Sequence, residues 1–208
     1  MKYPFFASFI VFCIWLGYEI HKRRNKDAKI TQSFWEQEAA ANKTRRKPLD
    51  SLNYIHIPFE TLPMDLLSDD SEISEYHQTL RDLSASPIVN LTGISNTELK
   101  LQYGAPNIDL LSNYDQSYTM LVRTLQNWAA ALYAKDYVQE AGTILTFAMD
   151  THTDISASYR LLATIYQKNG TPERIQELVQ IAETLNSVMK KPILAMLENF
   201  TTAAHISE

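Results

Sequence analysis

Five histidines, His21, His56, His77, His152 and His205, have the side chains best suited to proton transfer or metal ligation. They are scattered along the chain. None has a cysteine, a second histidine or a carboxylate at ligand spacing on one helix face, so they read as surface side chains. Asp69, Asp70 and Glu72 supply oxygens for a loose calcium contact. The spacing and the glycine of an EF-hand loop are absent, however. No G-x-S-x-G, P-loop, H-E-x-x-H or G-x-G-x-x-G occurs. The single cysteine, Cys13, excludes an intrachain disulfide and a cysteine-built metal site. The expectation is a non-enzyme without metal or cofactor.

Two arginines suggest a different chemistry. A guanidinium holds a carboxylate through paired N–H donors, and Arg123 and Arg160 stand in an otherwise acidic region. From Ser51 to Glu208 there are nine Lys/Arg against nineteen Asp/Glu, whereas His21 to Asp50 has nine against four. The distal part is therefore acidic and a poor candidate for nucleic acid, which needs clustered cations.

Tyr3 to Ile20, YPFFASFIVFCIWLGYEI, is apolar except for Ser8 and Glu19. As a helix it is ~27 Å long, close to the thickness of a bilayer core. Tyr3, Trp15 and Tyr18 lie towards its ends, where amphipathic rings favour the interface. No small-residue cleavage site follows the run, which argues against a signal peptide. Lys22, Arg23, Arg24, Lys26 and Lys29 follow it, against Lys2 before it. The positive-inside rule then keeps the rest of the chain in the cytoplasm. The basic cluster, Lys22, Arg23, Arg24 and Lys26 foremost, sets topology and lies within reach of anionic headgroups.

The order of elements follows from caps and breakers. Ser33 with Glu36 fits a capping box for a short helix ending near Pro48. Tyr54–Ile57 and Ile88–Leu91 are short strand candidates that could pair. Pro63–Glu72 reads as an acidic loop. Ser71–Leu83 carries Ile73, Tyr76, Leu80 and Leu83 at helical spacing. Ser95 with Glu98 opens another helix that stops near Gly104, and a longer one runs from about Asn113 to Lys135.

The last part of the chain repeats at a spacing of 34 residues. Leu125 falls on Tyr159, Trp128 on Leu162, Ala129 on Ala163 and Leu132 on Tyr166. In a second helix Ala141 falls on Ile175, Leu145 on Val179 and Ala148 on Ala182. Small residues let antiparallel helices approach closely, and bulky neighbours fill the layers between them. Asp136-Tyr137 and Asn169-Gly170 read as turns, Asp154 and Thr171 as caps, and Pro172 as a first helical residue. Pro192–Met196 opens a third helix, with Met196 and Phe200 on the repeat spacing.

This pattern resembles the tetratricopeptide repeat, whose period is about 34 residues. Ile175 and Thr153 depart from it, standing where the repeat prefers alanine and proline. The resemblance implies a right-handed array of helical hairpins whose first helices line a groove. By that register Arg123, Gln126 and Tyr133 from one repeat and Arg160, Gln167 and Lys168 from the next face a bound protein or peptide. More widely, IVNLTGISNTELKLQYG (Ile88–Gly104), SFWEQE (Ser33–Glu38) and the order anchor, basic linker, helical pair resemble an uncharacterised group of single-span proteins from clostridia-type Gram-positive bacteria. That likeness implies a bacterial cell-membrane setting and no activity.

The expected fold is mainly α. It has a transmembrane anchor (1–20), a basic then acidic linker with a short helix and possible strand (21–70), an N-terminal helical part (71–112), and repeats with a C-terminal cap (113–208). The expected function is a membrane-tethered scaffold or adaptor for protein–protein interaction. The alternative is a structural subunit of a larger membrane complex without a peptide groove. The expected partners are membrane lipid and a protein or peptide, not nucleic acid.

Overall fold

The computed structural model describes the backbone of residues 4–206, and within it the side chains of residues 8–24 and 31–201. The protein is mainly α-helical. Among the described residues there are eight α-helices: α1 (Pro4–Asn42), α2 (Ser71–Ser84), α3 (Asn96–Tyr103), α4 (Ile108–Ala134), α5 (Val138–Asp150), α6 (Ser156–Lys168), α7 (Ile175–Thr184) and α8 (Lys190–Ile206). Two 3-10 turns, Ala105–Asn107 and Pro172–Arg174, precede α4 and α7. The chain divides into two compact units: the residues up to Pro48 with Ser95–Ile108, and Leu49–Ile94 with the residues from Asp109 onward.

The first unit is built on α1 and α3. The sequence reading starts a fresh helix at Ser33, but α1 runs unbroken from Pro4 to Asn42. The reason is local: residues 21–32 contain no proline or glycine to break the helix, and Lys, Arg, Ala and Gln make up most of them. Glu36 does not close a capping box across that point. Its carboxylate accepts a hydrogen bond from Gln32 one turn earlier, at 2.9 Å. The helix also stops at Asn42, six residues before Pro48. Among the described residues no helix is long and apolar enough to cross a membrane. The expected span, Tyr3–Ile20, begins at Tyr3 and the side chains of Pro4–Ala7, which lie outside the described residues.

Polar side chains fasten α3 to α1. Glu38 accepts from Thr97 Oγ1 at 2.6 Å and pairs with Lys100. These two partners hold its carboxyl below the usual range, that of Lys100 most strongly. Ala41 is fully buried in this contact region. The segment after α1 is pinned by Asn107, which is fully buried. Its amide donates to the Lys47 and Tyr103 carbonyls, both at 2.8 Å, and its oxygen accepts from Arg46 Nε at 2.8 Å. The capping box at Ser95 is formed. Glu98 N donates to Ser95 Oγ, and Ser95 N donates to Glu98 Oε2 at 2.8 Å. Gly104 ends the helix at φ +94°, and a Cβ there would lie 2.2 Å from the Arg45 carbonyl oxygen.

The second unit is a stack of helices around one apolar core. Trp128, Tyr159, Leu125, Leu132, Ile144 and Leu145 are fully buried in it. Ala129, Ala148, Ala163 and Ala182, the small positions of the 34-residue spacing, are also at zero exposure. Ile175 fills its position without exposure as well. The spacing continues into α8, on different residues from those expected: Ile193 and Leu197, 34 positions beyond Tyr159 and Ala163, are fully buried. Met196 and Phe200 are half-buried.

The connections differ from the reading in detail. α2 begins at Ser71, where the helical spacing starts, and Asp70 from the acidic stretch is its cap: Oδ1 accepts from Glu72 N and Ile73 N at 3.1 and 3.3 Å. Asp70 Oδ2 also takes Lys135 Nζ at 2.7 Å. Asp154 does not cap α6. It accepts from Ser187 Oγ instead. Thr171 donates back to the Tyr166 carbonyl at 3.3 Å, and Pro172 opens a 3-10 turn, not α7 itself. α4 starts at Ile108, ahead of Asn113. The two strand candidates meet in a single antiparallel bridge, Tyr54 to Val89, with Ile55 N donating to Ile88 O at 2.9 Å. No named strand occurs among the described residues, since so short a ribbon lacks the partners that extend pairing.

Candidate partner-binding groove

An open groove of about 550 Å³ runs between α2 and α4. α2 contributes Glu75, Tyr76 and Thr79, and α4 contributes Met120, Arg123 and Asn127. Met120 is 54% exposed, so the groove offers a flexible apolar contact. The Tyr76 hydroxyl donates to Glu72 at 2.9 Å. Burial chiefly, and that carboxylate next, push the phenol above its ordinary pKa, so it stays a neutral hydrogen-bonding group. Arg123 is exposed and has no ion-pair or hydrogen-bond partner for its guanidinium among the described residues.

Of the six residues expected to face one groove of the repeats, Arg123 alone is among those that line the α2–α4 groove. Gln126 accepts from the fully buried Ser158 Oγ at 2.6 Å and so joins α4 to α6. Tyr133 packs against the core with Lys168 Nζ 5.5 Å from its ring centre. Lys168 also pairs with Asp136 at 3.1 Å, and Gln167 donates to the Phe200 carbonyl at 3.4 Å. Arg160 is exposed and lies outside the lining of the α2–α4 groove. Four of the six therefore have bonding partners within the fold.

Tyr76 packs, partly buried, against the core as well as lining the rim. The buried stripe of α2 also carries His77, 2% exposed, with Ile73, Leu80 and Leu83, although the histidines read as surface side chains in the sequence. The signal was present, since residue 77 stands four after Ile73 and three before Leu80. Its polar identity disguised it.

A second, smaller cavity of about 210 Å³ is lined by polar groups around the α5–α6 turn. Asn90 Nδ2 donates to the Tyr118 hydroxyl at 2.9 Å and to the Thr151 carbonyl at 3.1 Å. His152 adopts φ +56° there, with Nδ1 3.3 Å from Thr184 Oγ1. These groups serve one another and fix the turn. Among the described residues no group of three His, Cys, Asp or Glu could hold a metal ion.

On α1, Lys22, Arg23 and Arg24 are exposed, and Arg23 lies 3.8 Å from Glu19. The side chain of Lys26 lies outside the described residues. Comparison with family models, curated proteins and solved structures gave no match.

Proposed function

We propose that the protein is a membrane-tethered scaffold without catalysis of its own, anchored by the N-terminal part of α1 and capturing a protein or peptide on its helical stack. One observation carries the reading. Nine large apolar side chains between Phe9 and Ile20 are each at least 40% exposed along a single helix. Removing such a side chain from water is worth roughly 1.5–3 kcal/mol. With each about half exposed, their sum is comparable to the ~5–15 kcal/mol net stability of an ordinary domain, so the surface favours a covering phase, and a bilayer is the phase that covers every side of one helix.

The exposed Lys22, Arg23 and Arg24 follow this run and favour retention of what comes after on the cytoplasmic side. The setting is then a bacterial cell membrane, in keeping with the resemblance to single-span clostridial proteins. The four buried alanines support a tetratricopeptide-like stacking of hairpins. The groove beside Arg123, with an unpaired guanidinium, an exposed methionine and hydrogen-bonding rims, fits a peptide that presents a carboxylate. Tethering raises the effective concentration of a partner held weakly.

The test uses the full chain. It should stay with membranes through an alkaline carbonate wash, and Ile10→Arg with Ile14→Arg should release it. Release of the unaltered chain would refute the tether. Crosslinking in native membranes followed by mass spectrometry should then yield a partner whose capture Arg123→Glu weakens on the order of tenfold or more. Capture that ignores Arg123→Glu and depends on the anchor sequence would favour a structural subunit instead.

A further inference from the structure

Four cations stand on one short segment directly after α1: Lys43, Arg45, Arg46 and Lys47. All four are exposed. Among the described residues no carboxylate lies within ion-pair distance of any of them. The backbone holds the segment against the end of α3. Lys47 N donates to the Tyr103 carbonyl at 3.0 Å, and the Thr44 carbonyl accepts from Ala105 N at 3.1 Å. The charges therefore sit on a fixed strip and not on a loose tail.

Arg46 is set more closely than its neighbours. Both amide hydrogens of the buried Asn107 are spent on the Lys47 and Tyr103 carbonyls. The amide cannot flip, and its oxygen stays on Arg46 Nε at 2.8 Å. That bond uses one of the five guanidinium N–H groups and leaves the four on the two Nη atoms for a ligand. A guanidinium fixed in this way loses little freedom when it takes a carboxylate.

Neither topology nor lipid accounts for the strip. Cations direct topology within ~15–20 residues of the end of a span, and even Lys43 lies beyond that distance from Ile20. Because α1 is continuous to Asn42, the strip starts ~33 Å along the axis from Ile20. A tilt of ~40° still leaves about 25 Å. The headgroup layer is only ~5–8 Å deep, and its potential fades within a further ~8–10 Å.

We propose that Lys43–Lys47 is a docking strip for an acidic segment of a partner protein, with Arg46 taking a carboxylate between its two Nη atoms. This surface is separate from the groove at Arg123, and only the exclusion of lipid rests on the membrane tether. Charge complementarity selects the occupant. Four unpaired cations on one strip match a short run of Asp or Glu. A long polyphosphate would also meet the rest of the chain, where nine Lys/Arg stand against nineteen Asp/Glu from Ser51 onward. A short acidic segment need meet only the strip.

Fluorescence anisotropy tests the strip. The full chain, in nanodiscs of neutral phosphatidylcholine, is titrated into fluorescein-labelled hexaglutamate. The peptide should bind, and more weakly as salt rises. Lys43→Gln with Arg45→Gln should weaken binding on the order of tenfold without touching the bonds of Asn107. Arg46→Lys keeps the charge but loses the guanidinium fork, and should also weaken binding on the order of tenfold, whereas Lys43→Arg should leave it unchanged. No binding of hexaglutamate, or binding by Arg46→Lys equal to the parent, would overturn the proposal. Tighter binding of oligouridylate would overturn it in favour of a nucleic-acid surface, and displacement of the peptide by phosphatidylglycerol in the discs would overturn it in favour of lipid. The same titration on the detergent-solubilised chain separates the strip from the tether: a chain that stays out of the discs but binds the peptide in detergent fails the anchor reading alone.

Discussion

The ring of His77 meets the indole of Trp128 edge-on, with centroids 4.9 Å apart and planes at 81°. Both side chains are buried, and neither His77 Nε2 nor Trp128 Nε1 has a hydrogen-bond partner among the described residues. Burial holds the imidazole below its ordinary pKa. The nearby Arg81 adds to this, and Asp65 pulls more weakly the other way.

A pH dependence follows. With its pKa depressed in the fold, His77 stays neutral where the unfolded chain takes up a proton, below about pH 6.5. Its contribution is fully present above that pH and is lost as pH falls towards the folded pKa. The carboxyls of Glu38, Asp70 and Glu98 are also held low, and their losses lie below about pH 4.5. The urea midpoint should therefore drop between pH 7.5 and 5.5, and His77→Phe should flatten that drop. An unchanged slope in the variant would show that His77 is not the group responsible.

Close packing at the alanines gives a second expectation. Ala163 is fully buried within the stack of α5, α6, α7 and α8. Ala163→Leu adds volume where helices are already in contact, at a cost of about 1–3 kcal/mol. Equilibrium urea unfolding measures this. Ala195→Leu, at an exposed position of α8, is the control and should stay within ~0.5 kcal/mol of the parent.

Asn107 predicts local opening. Asn107→Ala removes two donors from the Lys47 and Tyr103 carbonyls and the acceptor of Arg46 Nε. The Tyr103 carbonyl keeps the Lys47 N–H at 3.0 Å, whereas the Lys47 carbonyl is left without this donor. The loss should be roughly 1–3 kcal/mol. Trypsin should then cut at Arg45 or Arg46 faster than in the parent, because proteolysis follows the population of the opened segment.

Three glycines with positive φ separate strain from collision. Gly170 has φ +70° and open space around the position of a Cβ, so Gly170→Ala should cost only about 1–2 kcal/mol. Gly93 and Gly104 have φ +81° and +94°, and a Cβ would lie 1.8 Å from the Asn186 oxygen and 2.2 Å from the Arg45 oxygen. Both of these oxygens belong to the backbone, so neither can swing aside. Alanine at either position should lower Tm well beyond the Gly170→Ala variant in a thermal melt.

The legible parts of the molecule were those with a period. Ala129, Ala148, Ala163 and Ala182 announced their burial because their partners stand a fixed 34 residues away. Ser95 and Glu98 announced a helix start through a local bond. The α1–α3 unit was not legible. It depends on Glu38 reaching residues about 60 positions away, and on Asn107 meeting backbone carbonyls that carry no sequence signature. The α2–α4 groove was not legible, because its rim of Glu75 and Tyr76 depends on where α2 docks, which no spacing records. Nor does helical register record that Gln126 meets Ser158 or that Lys168 pairs with Asp136.

Leu197 occupies, in α8, the place that Ala129 and Ala163 hold in α4 and α6. Those alanines leave room for a neighbouring helix at close range, whereas the isobutyl group of Leu197, itself without exposure, takes up that room. A builder who wished to graft another hairpin onto α8 would have to keep Leu197, because Leu197→Ala would open a cavity beneath the graft at a cost of about 2–5 kcal/mol.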